Sequence, residues 1–159
     1  MPDLATPRSK LQAEPTRTFA FMDLFYASPV DRVGVIKAGV SARRLKLFIS
    51  EFDVDQQVMF GALNLKTATV NKKAAKNQRL STGDSERVVG LAKLVGQLKA
   101  MIEESGDPIG FSATEWLSTW LREPLPSLGA AKPIDLLDTM EGQAIVSRTL
   151  AQIQSGAFA

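Results

Sequence analysis

The amino-acid sequence predicts an all-α protein. From about residue 29 onward, apolar residues recur at spacings of three and four, which is the period of an amphipathic helix. Serine, threonine and asparagine stand where these segments begin or end, and glycines and prolines separate them. Apolar residues make up 45% and charged residues 23% of the chain, which is typical of a protein with a packed core.

The chain contains no cysteine and no histidine. It therefore cannot by itself form disulfides, Ser-His-Asp or Cys-His catalytic arrangements, or zinc sites built on these side chains. It also shows no signal sequence and no apolar run near the ~20 residues of a membrane span. We expect a cytoplasmic binding protein rather than an enzyme, without catalytic residues, metal, cofactor or membrane contact.

Residues 1–28 predict a flexible N-terminal tail that ends in an aromatic segment. Pro2, Pro7 and Pro15 stand among small and charged residues without apolar periodicity. The aromatic segment consists of Phe19, Phe21, Met22, Leu24, Phe25 and Tyr26. It is interpreted either as a stretch packed on the folded body or on another subunit, or as a linear motif that binds a partner.

The first full helix is predicted to begin at Pro29, directly after Ser28, and to end near Gly39. A second helix opens at Ser41. Its core face consists of Leu45, Phe48, Ile49 and Phe52.

The next two segments predict a helix-turn-helix. One helix runs from about Asp55 and ends at Asn64, a residue type that tolerates left-handed backbone. Thr67 then caps a basic helix that ends near Lys76. A helix, a tight turn and a basic helix are the ingredients of this DNA-binding motif, although similar packings with a short turn also serve structural roles.

Charge is distributed unevenly between the two halves. Residues 29–79 contain ten Lys or Arg and four Asp or Glu, whereas residues 80–159 contain six and ten. This asymmetry predicts that the basic half contacts a polyanion, with a merely solvated basic face as the alternative. The expected DNA contacts are Lys66, Thr67, Thr69, Asn71, Lys72, Lys73, Lys76 and Arg79.

The second half begins with a long helix and a boundary. Ser81 and Asp84 resemble a capping box in front of this helix, which is expected to end near Gly106. The Gly-Asp-Pro-Ile-Gly stretch that starts there is typical of a boundary between modules. We therefore expect a helix-turn-helix domain over residues 29–106 and a second module over residues 107–159.

Within the second module, Ser112 is expected to cap a helix that carries Trp116 and Trp120 on one face. Pro133 starts a short helix, and Thr139 caps the last one. The core face of the last helix consists of Val146, Leu150 and Ile153.

Residues 125–146 resemble the toxin-binding domain of the Xre/MbcA/ParS antitoxins. The shared residues are Gly129, Pro133, Leu136, Leu137, Thr139 and Gly142. Upstream, Leu80-Ser81 and Asp84-Ser85-Glu86-Arg87 are similar to the family's Xre-like helix-turn-helix half. The resemblance covers about residues 40–159 and implies an Xre-like helix-turn-helix module followed by a small helical toxin-binding module. The Lys-rich recognition helix departs from relatives, which more often carry arginines and a tyrosine there.

The resemblance also implies a function. Members pair with RES-domain toxins in type II toxin–antitoxin systems, so the partner would consume NAD while this chain neutralises it and represses its own operon. The implied partners are the toxin, promoter DNA and a second copy of the chain. We expect the toxin contacts on the last helix and just beyond it, at Arg148, Gln152, Gln154, Ser155, Gly156 and Phe158.

Two other functions remain open from the sequence. The chain would alternatively be a stand-alone transcription regulator whose C-terminal module dimerises or senses a ligand. An enzyme that uses Asp135, Asp138 and Glu141 as paired carboxylates is the third reading, although these residues also resemble ordinary first-turn and surface charges.

Overall fold

The computed structural model describes residues 23–106 and 108–155, and every regular element within them is helical. The all-α class is therefore confirmed. The helices are α1 (Asp23–Tyr26), α2 (Pro29–Ala38), α3 (Ala42–Ser50), α4 (Gln56–Ala62), α5 (Thr67–Ala75), α6 (Thr82–Ser105), α7 (Ala113–Trp120) and α8 (Met140–Ser155), with 3-10 turns at Pro126–Leu128 and Pro133–Leu136. Most of the predicted N-terminal tail, including Phe19, Phe21 and Met22, lies outside the described residues.

The helix starts predicted at serine residues are confirmed. In each case the serine Oγ accepts a hydrogen bond from the backbone N–H three residues later, at 3.1 to 3.3 Å. These bonds satisfy amide groups that have no partner within the first turn of a helix. The capping serines are Ser28, Ser41, Ser81 and Ser112.

The prediction that Thr67 caps α5 is wrong. Lys66 occupies the cap position with extended backbone and makes no side-chain capping bond, and Thr67 is the first helical residue. The preceding Leu65 is buried, and its amide donates to the carbonyl of Phe60 at 2.8 Å. Because Leu65 is already fixed in the core, only Lys66 separates the turn from the helix, and Thr67 enters the first turn.

The long helix α6 lies at the centre of the molecule. The short helix α1 and helix α2 pack against it, and so do α7 and α8 from the second half of the chain. Buried side chains from both halves form one continuous core. The core therefore extends through α6 across the predicted boundary near Gly106.

A second set of contacts joins the two halves, between α7 with the residues after it and the link from α3 to α4. Ser118 in α7 accepts a hydrogen bond from the backbone N–H of Asp53, at 2.8 Å, through its Oγ. Arg122 donates to the carbonyl of Asp53 at 3.2 Å. The link between α3 and α4 is therefore held by the C-terminal half, where Trp116 and Trp120 stack with ring centres 5.7 Å apart.

The approach to α8 is tightly packed at a glycine. Thr139 caps this helix as predicted, because its Oγ1 accepts from the N–H of Gly142 at 2.9 Å. A Cβ atom on Gly142 would lie 1.9 Å from the carbonyl oxygen of Leu136. The 3-10 turn before α8 can lie this close to the helix only because residue 142 has no side chain.

We expect Gly142→Ala to lower the free energy of unfolding by about 1–3 kcal/mol, since backbone must move to admit the methyl group. Gly61→Ala is the matched control, because nothing lies within 4 Å of a Cβ atom at this helical glycine. The control should raise stability by about 0.5–1 kcal/mol. Urea titrations of both variants provide the measurement, and equal stabilities would contradict the close approach.

Candidate nucleic-acid and partner interfaces

Helices α4 and α5 form a helix-turn-helix, as the sequence predicts. Asp55 caps α4, and Asn64 adopts the left-handed conformation with φ of 54°. The N–H of Asn64 donates to the carbonyl of Gly61 at 2.9 Å, which closes the turn. Val70 and Ala74 are buried on the inner side of α5. The rest of α5 is thereby directed outward, in the arrangement of a recognition helix.

The residues predicted to contact DNA fall into two groups. Those on α5 and at its ends share its outward side, with Lys66, Thr69, Asn71, Lys72 and Lys76 exposed and Thr67 and Lys73 partly exposed. Arg79 lies beyond the helix, where its backbone forms an isolated bridge with Ser41 and its guanidinium donates to the carbonyl of Gly39 at 3.4 Å. The structure therefore brings the α5 residues together and places Arg79 at a structural junction.

Sequence reasoning missed the role of Arg43. Its Nε donates to the carbonyl of Ala74 at 2.8 Å, and its Nη2 lies 3.5 Å from the carbonyl of Ala75. These are carbonyl groups of the last turn of α5, where the helix dipole favours a positive charge. Arg43 thus holds the C-terminal end of the recognition helix from α3.

A second arginine holds the turn before α5. The Nε of Arg87, on α6, donates to the carbonyl of Leu63 at 2.7 Å, and its Nη2 donates to the carbonyl of Asn64 at 3.4 Å. The same guanidinium pairs with Asp84, one turn back on α6. The spacing of Asp84 and Arg87 is the one sequence signal for this contact, since side chains three apart on a helix can pair.

The two arginines fix the recognition helix at both ends. We call Arg43 and Arg87 the arginine clamp. Both count as charges in the sequence, yet both guanidinium groups are committed to backbone carbonyls of the motif. The lysines of α5 are therefore the cations that this motif presents at its surface, and the clamp fixes their position.

On the C-terminal side, the predicted toxin contacts are only partly described. Arg148 and Gln152 are exposed on α8, and Gln154 donates to the carboxylate of Glu104 at 2.8 Å. Gln154 is thus engaged with α6. The side chain of Ser155 and the whole of Gly156 and Phe158 lie outside the described residues.

Arg148 also borders a groove of about 620 Å³ between α2, α6 and α8. Its walls combine apolar side chains, among them Val33 and Met140, with the cationic side chains of Arg32 and Lys93. The pKa of the Lys93 amine is lowered mainly by partial burial and, to a smaller extent, by the positive charge of Arg32. The groove therefore combines apolar walls with charged side chains of both signs, since Glu86 also lines it, and both halves of the chain form it.

Gln143 is a buried polar side chain between the two halves. It is 6% exposed, and its Nε2 donates to the carbonyl of Arg87 at 3.0 Å and to that of Leu137 at 2.9 Å. Gly90 leaves the room for it, because a Cβ atom there would lie 1.6 Å from the Oε1 of Gln143. This amide ties α8 to α6 beside the arginine clamp.

The three carboxylates considered for catalysis, Asp135, Asp138 and Glu141, are all exposed. Each carboxylate is therefore in contact with solvent, and none of the three lies in an enclosed cavity that would favour acid-base chemistry. Within residues 23–106 and 108–155, no group of three acidic side chains is placed to hold a metal ion. No helix of this part of the chain is long and apolar enough to cross a membrane.

Comparison with known proteins agrees with this geometry. Residues 31–93 match the antitoxin Xre-like helix-turn-helix domain, and residues 109–156 match the antitoxin Xre/MbcA/ParS C-terminal toxin-binding domain. A protein of Sphingobium sp. (strain YBL2) called Prs ADP-ribosylating antitoxin is 69% identical over 159 residues, which is 100% of both chains. With this similarity over the full length and a domain match on each half, the chain belongs to the Xre/MbcA/ParS family of antitoxins.

Proposed function

We propose that this antitoxin neutralises a cognate RES-domain toxin that consumes NAD, and that it represses its own operon by binding promoter DNA through α5. The observation that carries the proposal is the combination of a clamped basic recognition helix with a C-terminal toxin-binding domain on one shared core. In this proposal the N-terminal half binds DNA and the C-terminal half binds the toxin. The chain acts by binding and has no catalytic residues or cofactor of its own.

The DNA-binding part of the proposal rests on α5. Its outward side presents Lys72 and Lys76 with Thr69 and Asn71, whereas its inner side is buried. Lysine neutralises phosphates, and asparagine is suited to the edge of adenine. Promoter DNA is in the cytoplasm of a bacterium, which is where this function would operate.

The toxin-binding part rests on α8 and the residues that follow it. The toxin-binding domain match covers α7, both 3-10 turns and α8. Arg148 and Gln152 are exposed along α8 and offer polar contacts, while Phe158 offers an aromatic anchor. In the proposed complex these residues, with Gln154, Ser155 and Gly156, lie at the substrate entrance of the toxin and exclude NAD.

The name of the Sphingobium relative supports a toxin that uses NAD. That protein is called Prs ADP-ribosylating antitoxin, and the words refer to the transfer of ADP-ribose. Transfer of ADP-ribose from NAD and hydrolysis of NAD begin with the same substrate, so both fit the proposed partner. A purified mixture would distinguish them, because transfer labels a protein while hydrolysis releases free ADP-ribose.

We also propose that the antitoxin is a homodimer in the complex. Helix α2 exposes Val30 and Val33, three residues apart, which are 58% and 47% accessible, and Tyr26 at the end of α1 is 68% accessible. Contiguous exposed apolar residues often mark protein interfaces. A dimer would present two recognition helices to a two-fold symmetric operator.

Replacing Lys72 and Lys73 with alanine should weaken operator binding and reduce its salt dependence. The slope of log K against log salt is expected to fall by roughly one unit for each phosphate that the protein no longer neutralises. A mobility-shift titration at several salt concentrations measures this slope. Lys132→Ala, which changes a lysine of the other half, is the control and should leave it unchanged. An unaltered slope in the double variant would refute the assignment of α5.

Arg148→Glu should weaken toxin capture about tenfold or more, since a reversed charge at a central contact costs at least as much as a truncation. Lys132→Glu reverses a charge elsewhere in the same module and serves as the control. Calorimetric titration of toxin with each variant gives the affinity. Equal affinities for the two variants would place the toxin on another face.

Phe158→Ala should restore NAD consumption in a mixture of toxin and antitoxin, because the aromatic anchor at the substrate entrance is removed. Phe158→Leu, which keeps an apolar side chain, should retain most of the inhibition. The helical circular dichroism signal of both variants should match the parent. If Phe158→Ala still blocks NAD consumption completely, inhibition must come from the body of the module.

A further inference from the structure

We propose that Gln143, in the toxin-binding module, is a positioning residue for DNA recognition and acts through Arg87. The inference rests on the proposed role of α5 as the DNA-reading helix. It extends that role to a side chain that lies in the other module and bonds to α6 rather than to α5. Operator specificity would then depend on the packing of α8 against α6.

The first link is between Arg87 and the turn of the helix-turn-helix. The side chain of Arg87 is 19% exposed, and its guanidinium donates to the carbonyls of Leu63 and Asn64. These two residues connect α4 to α5, so their position sets the angle at which α5 leaves the body of the protein. Arg87 therefore transfers the position of α6 to the recognition helix.

The second link is between Gln143 and the backbone of Arg87 itself. The carbonyl that receives the amide of Gln143 belongs to the same residue whose side chain holds the turn. A helical carbonyl has two lone pairs, so it can accept this bond in addition to the bond within the helix. Arg87 alone thus connects Gln143 of the toxin-binding module to the turn.

The contact is specific because its surroundings are built around it. Gly90 lies one turn after Arg87 and has no side chain to displace the amide, and Leu137 receives the second hydrogen of the same Nε2. The side chain is almost fully buried. Removing the donor would leave two buried carbonyls without this partner, which is unfavourable in a region closed to water.

A second polar contact between the same helices offers an internal comparison. Gln97 of α6 donates to the carbonyl of Ser147 at 3.0 Å, and the hydroxyl of Ser147 donates to the Oε1 of Gln97 at 2.8 Å. This pair also ties α8 to α6. Gln97 lies ten residues after Arg87 on α6, whereas Gln143 binds the carbonyl of Arg87 itself. Both hydrogen bonds of the Gln97–Ser147 pair join α6 to α8 and involve no residue of the turn.

Misplacing α5 should affect base contacts more than phosphate contacts. Hydrogen bonds to base edges require close alignment, whereas attraction between lysine and phosphate acts over a longer range. Weaker positioning is thus expected to lower the preference for operator over random DNA and to leave the salt slope unchanged. A variant that only unfolds part of the population would lower both affinities by the same factor.

The test uses the full chain with Gln143→Met, which is similar in volume and cannot donate, and Arg87→Lys, which keeps the charge and removes the Nε donor. Ser147→Ala is the matched control.

Fluorescence anisotropy with operator and random duplexes should show the specificity ratio reduced about tenfold in Gln143→Met and in Arg87→Lys, within the usual range of coupling between sites. The control should keep the parental ratio. The double variant should fall no further than either single variant, because both changes interrupt one path.

Hydrogen exchange at the amides of Asn64 and Leu65 reports the turn without DNA. Faster exchange in Gln143→Met, with parental exchange in Ser147→Ala, would support the link from Gln143 to the turn. If the parent protein then shows no preference for operator over random DNA, the proposed function fails together with the role in DNA recognition, whereas the link to the turn stands. Unchanged exchange in Gln143→Met overturns the inference. It is equally overturned if Ser147→Ala lowers the specificity ratio as much as Gln143→Met, or if the effects of Gln143→Met and Arg87→Lys simply add.

Discussion

The close approach of α8 to α6 is the constraint on which the rest of the molecule depends. It is possible because Gly90 has no side chain and leaves space on α6 for the amide of Gln143. Once these helices are in contact, one surface of α6 belongs to the toxin-binding half and another supports the helix-turn-helix. The antitoxin therefore has one continuous core beneath both halves, and buried side chains of α6 contribute to it along the length of that helix.

Several positive charges of the basic half also have structural roles. A basic half suggests an extended surface for a polyanion, but several of its cations bind carbonyl groups inside the protein. Arg32 donates to carbonyls of the α1 region, Arg43 to the end of α5, and Arg79 to Gly39. Guanidinium groups are suited to this because their planar donors reach more than one carbonyl at once. The lysines, with a single flexible ammonium group, remain at the surface of α5.

Much of the fold could be predicted because its signals are local. Serine caps, the Asn64 turn and the 3.6-residue period depend on residues within one or two turns of each other, and they identify the helices well. The start of α5 was predicted incorrectly because the depth of Leu65 in the core decides it. The roles of Arg43, Arg87 and Gln143 could not be predicted, since the carbonyl groups that these side chains bind on the recognition helix, on the turn and on α6 lie between 23 and 56 positions away along the chain. Long side chains reach in many directions, and only the packing of the helices selects one.

The contact between Gln143 and Arg87 has a consequence for chimeras that join this chain to another antitoxin of the family. A chimera joined at the predicted boundary near Gly106 would combine α6 from one parent with α8 from another. The glycine at position 90 and the amide at position 143 would then come from different parents, and a mismatch would leave either a clash or an unfilled gap. A junction in the segment before Thr82 keeps this pair together, but it divides Arg87 from the turn that it holds. A junction on either side of α6 therefore interrupts one of its contacts, and only an exchange that keeps α6 with both the turn and α8 preserves them all.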